Sequence, residues 1–392
     1  MRICGIICEY NPLHDGHAYL LQRARAASGC DAVVCVMSGN FVQRGGMSIF
    51  EKHLRAEHAV RAGADAVLEL PALFACAPAE IFARGAVRIL NALPSFTALA
   101  FGAECADKEK FLRAAQFISD ESKEFRTALK KSLDGGMSYA KARADALAAC
   151  GEEELCAFLQ TPNNILGAEY ARALLAEKSM ADILPVLRRG SAHGDPNTGE
   201  DGASATAVRA ALEVGKEEEA GKYVPDFVAR DFPSKTSDEL FKEFCVYSLL
   251  LRGTKEIGSL CDCSEGLENK LFALASSGAD FDAIVQACTS RRYISSRIRR
   301  ILTASALGLT REKTKKTLGG ALYLRPLALA SKRADELLAE FSRAGFPLLL
   351  RTSDREKLSH GATAVLETDL FAEKIYAIAA KKAPPAFGPR FV

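Results

Sequence analysis

Two histidines and a glycine carry the chemistry most legible in this chain. The segment Gly5-Ile6-Ile7-Cys8-Glu9-Tyr10-Asn11-Pro12-Leu13-His14-Asp15-Gly16-His17 runs from an apolar stretch, through a turn, to an amphipathic stretch that continues over Ala18, Tyr19 and Leu20. Strand, tight turn and helix N-terminus in that order present ring nitrogens and backbone N–H groups to a phosphate. In-line displacement at phosphorus builds charge on the equatorial oxygens, and fixed donors aimed at that charge lower the barrier. Gly16 lets backbone approach the phosphate with no side chain between. Four letters, His-x-Gly-His, also fit a structural turn with two incidental histidines; their place directly after an N-terminal strand favours the chemical reading.

Three further segments carry polar groups at element ends. Ser204-Ala205-Thr206-Ala207-Val208-Arg209 offers hydroxyls and N–H groups at a helix start with an arginine one turn on, or a plain N-cap followed by a surface residue. Ser38-Gly39-Asn40-Phe41-Val42-Gln43-Arg44-Gly45-Gly46 is a polar, Gly-rich loop after a strand, placed to meet or close over a nucleotide. The adjoining Glu51-Lys52-His53-Leu54-Arg55 reads as an exposed charged helix face. Pro162-Asn163-Asn164-Ile165-Leu166-Gly167, with Arg188-Arg189 beyond it, offers an amide for an adenine edge and a guanidinium for a phosphate or a base face. On spacing alone the favoured reading is a helix cap followed by surface arginines.

The elements that must position these groups alternate. Residues 2–8, 32–37, 66–70 and 98–101 read as strands, and 17–28, 51–62 and 79–92 as helices between them. Such β–α alternation predicts an α/β fold, a Rossmann-like, doubly wound parallel sheet covered on both faces. Its ligands belong at the carboxyl ends of the strands, where the histidine turn, Ser38-Gly39-Asn40 and Gly102 would stand. Residues 107–150 read as helical insertions, 164–178 as a helix, 183–187 as a strand, 191–203 as a mobile loop and 206–214 as a helix. A shift to charged residues with Pro225 and Pro233 places a boundary near 215/216. The expected domains are 1–215, with the α/β sheet, and 216–392, rich in helix with a short strand at 346–350.

The chain has 392 residues and a net charge of +2; 48% of it is hydrophobic and 26% charged, the balance of a water-soluble globular protein. No apolar run reaches the roughly 18 residues of a membrane span, and residues 1–8 are too short for a signal peptide. A cytoplasmic protein is expected, and its twelve cysteines fit reduced core thiols. Cys261-Asp262-Cys263 has neither metal-ligand spacing nor a second pair. One tract breaks the overall neutrality. Residues 286–325 hold Arg291, Arg292, Arg297, Arg299, Arg300, Arg311, Lys313, Lys315, Lys316 and Arg325 against the single acid Glu312. Tyr293 and Tyr323 lie among them, so the tract is expected to contact RNA through phosphates and stacking.

The phrases GIICEYNPLHDGH, SGNFVQRG, GADAVLELP, FGAE, PNNILGAEY and SATAVR together resemble the bacterial tRNA(Met) cytidine acetate ligase family, within the nucleotidylyltransferase (HIGH-motif) superfamily. The resemblance is specific over residues 1–215 and weaker through YLRPLA and FPLLLR. It implies an ATP-dependent ligase. Acetate attacks the α-phosphate of ATP to give acetyl-adenylate and pyrophosphate; N4 of the wobble cytidine of elongator tRNA(Met) then takes the acetyl group and AMP leaves. It implies His14, His17, Ser204, Thr206 and Arg209 as catalytic residues, and an ATP site over Ile7, Cys8, Glu9, Tyr10, Asn11, Pro12, Leu13, His14, Asp15, Gly16, His17, Ala18, Tyr19 and Leu20, with Gly102, Asn163 and Arg188. Asn164 and Arg189 fit the last two places nearly as well. Mg²⁺ is expected with the triphosphate. Relatives read Ile-Ser-Ser-Ala-Thr where this chain has Gly202-Ala203-Ser204-Ala205-Thr206, so one hydroxyl is missing. Two alternatives stay open: a small-molecule adenylyltransferase of the same superfamily, and a nucleotide- and RNA-binding protein without turnover.

Overall fold

The structure, a computed structural model, describes residues 1–120, 122–137, 139–188 and 204–392. Arg189 and the stretch 191–203 therefore lie outside the described residues. Seven strands form one sheet: β1 (Ile3–Cys8), β2 (Ala32–Ser38), β3 (Ala66–Leu70), β4 (Phe96–Ala103), β5 (Asp182–Leu187), β6 (Pro326–Leu329) and β7 (Arg390–Phe391), in the order β5-β4-β1-β2-β3-β6-β7. The first five are mutually parallel; β6 runs antiparallel to β3 and parallel to β7. The chain builds outward from β1 through β2 and β3, then returns to place β4 and β5 on its other side. The switch point therefore lies between β1 and β4, where a crevice opens at the strands' carboxyl ends.

β1, β2 and β3 are buried along their whole length, as near-continuous apolar runs in a doubly covered sheet must be. Alternate residues face opposite layers. Ile3, Ile7, Val34, Val36, Leu68 and Phe101 pack in one core with helices α3 (Ala79–Asn91) and α4 (Pro162–Ala176). Cys4, Ile6, Val33, Cys35, Met37 and Ala100 pack in another with α1 (Asp15–Ser28), α2 (Lys52–Arg61) and α5 (Ala205–Glu213). A third core fills the helical half around α6 (Glu239–Ile257), α7 (Ser295–Leu307) and α8 (His360–Ala379), and it is closed by Phe41, Met47 and Leu73 from the first half.

Three features differ from the expectation. α1 starts at Asp15 rather than His17, because His14 itself caps it. No strand forms over 346–350; Leu348 makes an isolated bridge with Leu324, since Pro347 lacks the N–H that a ladder needs. The charged stretch 51–55 is no exposed face: Lys52, His53 and Arg55 are buried. Lys52 bonds Glu69 at 2.5 Å and also pairs with Glu373, while Arg325, beside β6, bonds Glu373 at 2.5 Å and Glu69 at 3.2 Å. These pairs sit where the late strand joins the early sheet.

Candidate active site

A cleft of about 1190 Å³ opens at the carboxyl ends of β1 and β4. Its wall includes Ile7 to Asn11, His14, Gly16, His17, Tyr19 and Leu20, then Gly102, Asn163 and Arg188, then Ser204, Thr206 and Arg209. The segments read separately from the sequence are thus brought together. Four of the expected residues are not on the wall: Pro12 and Leu13 are buried beneath the turn, Asp15 faces solvent, and Ala18 lies on α1 away from the cleft.

The histidine turn is held by its own side chains. His14 is the N-cap of α1; its Nδ1 accepts the Gly16 N–H at 3.1 Å, and Nδ1 of His17 accepts the His14 N–H at 3.3 Å. This is a capping box built from imidazoles. Because each Nδ1 is an acceptor, each neutral ring carries its proton on Nε2, a donor on a cleft-lining ring. The rings stack at 3.7 Å between centroids, and Tyr10 meets His17 edge-on at 5.0 Å. Gly16 makes this stack possible: a Cβ there would stand 2.9 Å from His14 Cε1.

The second phosphate-facing element is the start of α5. Ser204 caps it by accepting the Ala207 N–H at 3.2 Å, and Arg209 bonds Thr206 Oγ1 at 3.2 Å and the Asn11 carbonyl at 2.5 Å. Burial lowers the pKa of Arg209, and the charge of Arg44 lowers it further, against Glu9 and Glu213. Two guanidiniums near enough to repel, beside a helix N-terminus, form an electropositive wall suited to a triphosphate.

The opposite end suits a base. Asn163 Nδ2 donates to Glu104 Oε1 at 2.5 Å. Arg188 packs its stem against Gly102, where a Cβ would stand 3.4 Å from Cγ; burial lowers its pKa, partly offset by Glu104. Asn164 is spent on the fold. Its Oδ1 accepts the N–H groups of Glu104 and Cys105, and its Nδ2 donates to the Phe158 carbonyl. Of the two asparagines, only Asn163 lines the cleft.

The Gly-rich loop lies on the wall from Val42 to Ile49. Glu9 Oε1 accepts the Gln43 N–H at 2.6 Å and the Ser38 hydroxyl at 3.2 Å. Beneath the loop, Arg55 donates to the Phe50, Ser38, Glu9 and Gly39 carbonyls, so it staples the ends of β1 and β2. Sequence reasoning missed Arg55 and Glu104; the one usable signal was that Glu104 follows the end of a strand. It also missed Lys235 to Glu239, Lys242 and Ile294 to Ser296, which with Arg299 of the basic tract complete the wall from the helical half.

The basic tract is only partly a surface. Tyr323 and Arg325 are buried. Arg297 and Arg300 hold the turn at Asp262, and Arg311 bonds the Gly258, Leu260 and Cys263 carbonyls. Arg299 is the cation of this tract that lines the cleft. Among the described residues no three His, Cys, Asp or Glu side chains come together as a metal cage. Glu9, the carboxylate of the histidine turn, already serves Ser38 and Gln43. Among the described residues the donor set thus does not fit a resident Mg²⁺; a divalent cation would come with the triphosphate.

Residues 1–387 match the family model described as HIGH Nucleotidyl Transferase. The tRNA(Met) cytidine acetate ligase of Caldanaerobacter subterraneus subsp. tengcongensis is 37% identical over 388 residues, 97% of this chain and 96% of its own. That of Thermoanaerobacter sp. strain X514 is 36% identical with the same coverage. Crystal structures of Thermotoga maritima TmcAL, 29% identical, superpose with TM-scores of 0.90 for the apo form, covering 98% of this chain and 96% of that one, and 0.88 for the form bound to alpha-thio ATP, covering 98% and 95%. The chain belongs to the HIGH nucleotidyl transferase family and, within it, to the tRNA(Met) cytidine acetate ligases.

Proposed function

We propose that this protein activates acetate with ATP and transfers the acetyl group to N4 of the wobble cytidine of elongator tRNA(Met), releasing AMP and pyrophosphate. The observation that carries the proposal is the stacked His14–His17 pair and the Ser204–Arg209 helix start on the wall of one cleft. Acetate is a poor acyl donor until its oxygen carries a good leaving group. A carboxylate oxygen attacks the α-phosphorus, the bond to the bridging oxygen breaks, and pyrophosphate departs. The Nε2–H donors of His14 and His17 stabilise charge on the phosphoryl oxygens. Arg209, Ser204 and Thr206 hold the β- and γ-phosphates, while Gly102, Asn163 and Arg188 receive the adenosine. The exocyclic amine then attacks the acetyl carbonyl, loses a proton, and AMP leaves. Mg²⁺ arriving with ATP would offset triphosphate charge. Burial in the cleft keeps the mixed anhydride from water.

The adenylation chemistry belongs to residues 1–215, and the RNA contacts chiefly to 216–392, whose β6 and β7 also complete the sheet. Among the described residues no helix is long and apolar enough to cross a membrane; a tRNA substrate supports a cytoplasmic protein. The test is ATP–pyrophosphate exchange with and without acetate, followed by acetyl transfer to a tRNA transcript. Exchange that requires acetate, and N4-acetylcytidine in the product, support the proposal. Exchange that requires a different acceptor would make the protein an adenylyltransferase, and no exchange even with tRNA would make it a binding protein.

A further inference from the structure

The cleft, about 1190 Å³, exceeds the roughly 300–1,000 Å³ typical of a small-molecule site, and part of its wall comes from the helical half. That wall is made by Lys235 to Glu239, Lys242 of α6, Ile294, and Ser295, Ser296 and Arg299 of α7. Lys242 Nζ lies 3.2 Å from Asp282 Oδ2 and 3.4 Å from Asp238; Arg299 Nη2 lies 3.3 Å from Asp282 Oδ1. Both cations also stand over the Phe281 ring, at 6.0 and 5.5 Å. One carboxylate thus bridges a lysine and an arginine at spacings longer than the ~2.7–2.9 Å of a tight charge-assisted bond. Asp282 itself is 58% exposed, and such exposed pairs hold their partners weakly. The first turn of α7 adds N–H groups with no side-chain cap, since its N-cap is Ile294, a large apolar residue 59% exposed.

This wall touches the nucleotide wall directly. Gly45 lies so close to α7 that a Cβ there would stand 2.4 Å from the Arg299 carbonyl carbon, and Arg300 reaches the Gln43 carbonyl at 3.4 Å. Gln43 also donates its own N–H to Glu9.

We propose that Lys242 and Arg299 form a docking site for a backbone phosphodiester of the acceptor RNA loop, with Asp282 as the counter-ion that the phosphodiester displaces. A phosphate between the two cations leaves the attached nucleoside at the cleft mouth, next to the loop that borders the adenylate. Ile294 supplies an apolar edge for the base or its neighbour. The proposal deepens the acetyl-transfer reading, since it names how the RNA acceptor is held, but its test reads RNA binding and not acetylation. The competing assignment for the same two cations is the terminal phosphate of ATP.

The experiment measures the affinity of the full chain for an unmodified tRNA transcript over a range of salt, beside the KM for ATP in exchange without RNA. Lys242→Ala and Arg299→Ala should each weaken tRNA binding about five- to tenfold and reduce the salt slope by about one. Asp282→Asn, which removes the carboxylate shared by the two cations and leaves Lys242 its pair with Asp238, should tighten binding about two- to fivefold. Thermal unfolding checks that each variant folds. A several-fold rise in the KM for ATP without loss of tRNA affinity would reassign the cations to the nucleotide. Weaker binding in Asp282→Asn, or an unchanged salt slope in the alanine variants, would also overturn the proposal. Wild-type protein that binds tRNA through these residues yet never acetylates it would leave the site standing and remove the reaction.

Discussion

Arg209 donates to the carbonyl oxygen of Asn11 at 2.5 Å, although the two residues stand 198 positions apart. Asn11 opens the turn that precedes His14, and its own Oδ1 accepts the Ile49 N–H at 2.9 Å. One guanidinium therefore fixes the distance between the histidine turn and the α5 start, while the Asn11 side chain fixes the Gly-rich loop to both.

Arg209→Ala should lower kcat for acetate-dependent exchange by about 10²–10³, the range for losing one fixed donor to transition-state charge. Arg209→Lys should recover only part of this. A lysine supplies a point charge and cannot span Asn11 and Thr206 as the planar fork does. Equal activity in the lysine variant would mean that charge alone matters at this position.

Gly16→Ala places a methyl 2.9 Å from His14 Cε1. The imidazole must tilt, and the stack with His17 opens. Gly16 has no left-handed backbone to strain, so the cost should fall on catalysis rather than on folding. Exchange should drop about 10- to 100-fold, as a displacement of reacting groups by about an ångström does, with little change in thermal midpoint. A large fall in midpoint with activity retained would contradict this.

Gly45→Ala should behave in the opposite way. Here φ is +79° and the new Cβ meets backbone, not a movable side chain. About 1–3 kcal/mol of strain is expected, measurable by urea unfolding, and the nucleotide loop should lose its register against α7. An unchanged unfolding midpoint would show that the loop can retreat from α7 at no cost.

The sheet and the histidine turn were legible because both are local. A fully apolar run followed by a turn and an amphipathic helix specifies strand, turn and helix with no distant partner. Arg55 and Lys52 were misread because burial of a charge depends on who receives it. The receivers of Arg55 are four carbonyls, and those of Lys52 are Glu69 and the late residue Glu373. No pattern within 51–62 encodes either. Tyr323 and Arg325 failed likewise: the tract was counted as charge along the chain, yet β6 carries its last residues into the sheet. The Pro of FPLLLR, which breaks the strand expected there, was visible; the pairing of Leu324 with Leu348 was not.

The junction around Lys52 should leave a mark on stability against pH, carried by Asp369. This carboxyl accepts the Ala72 N–H at 2.7 Å and the Tyr323 hydroxyl. Burial and the nearby Glu69 charge push its pKa up to about 7, against Tyr323, Ala72 and Lys52. Between about pH 4 and pH 7 the unfolded carboxyl gives up its proton while the buried one keeps it. The unfolded state then binds fewer protons, so stability falls as pH rises through that window, by up to ~4 kcal/mol for a shift of this size, and levels off above it. Two other groups contribute with opposite sign. Burial lowers the pKa of His58 despite Asp231, so its share rises with pH on the approach to about 6.5. Glu373 is also buried, but Lys52 and Arg325 outweigh that and hold its pKa low, so its share is lost only in more acid solution. Asp369→Asn keeps an acceptor for Ala72 and exchanges no proton. The difference between wild-type and variant unfolding free energies should therefore isolate Asp369: near zero slope below about pH 4, a decline to about pH 7, and a plateau beyond. A difference curve that stayed flat from pH 4 to pH 7 and rose only below about pH 4 would mean that Asp369 is ionised in the fold, with Lys52 as its partner.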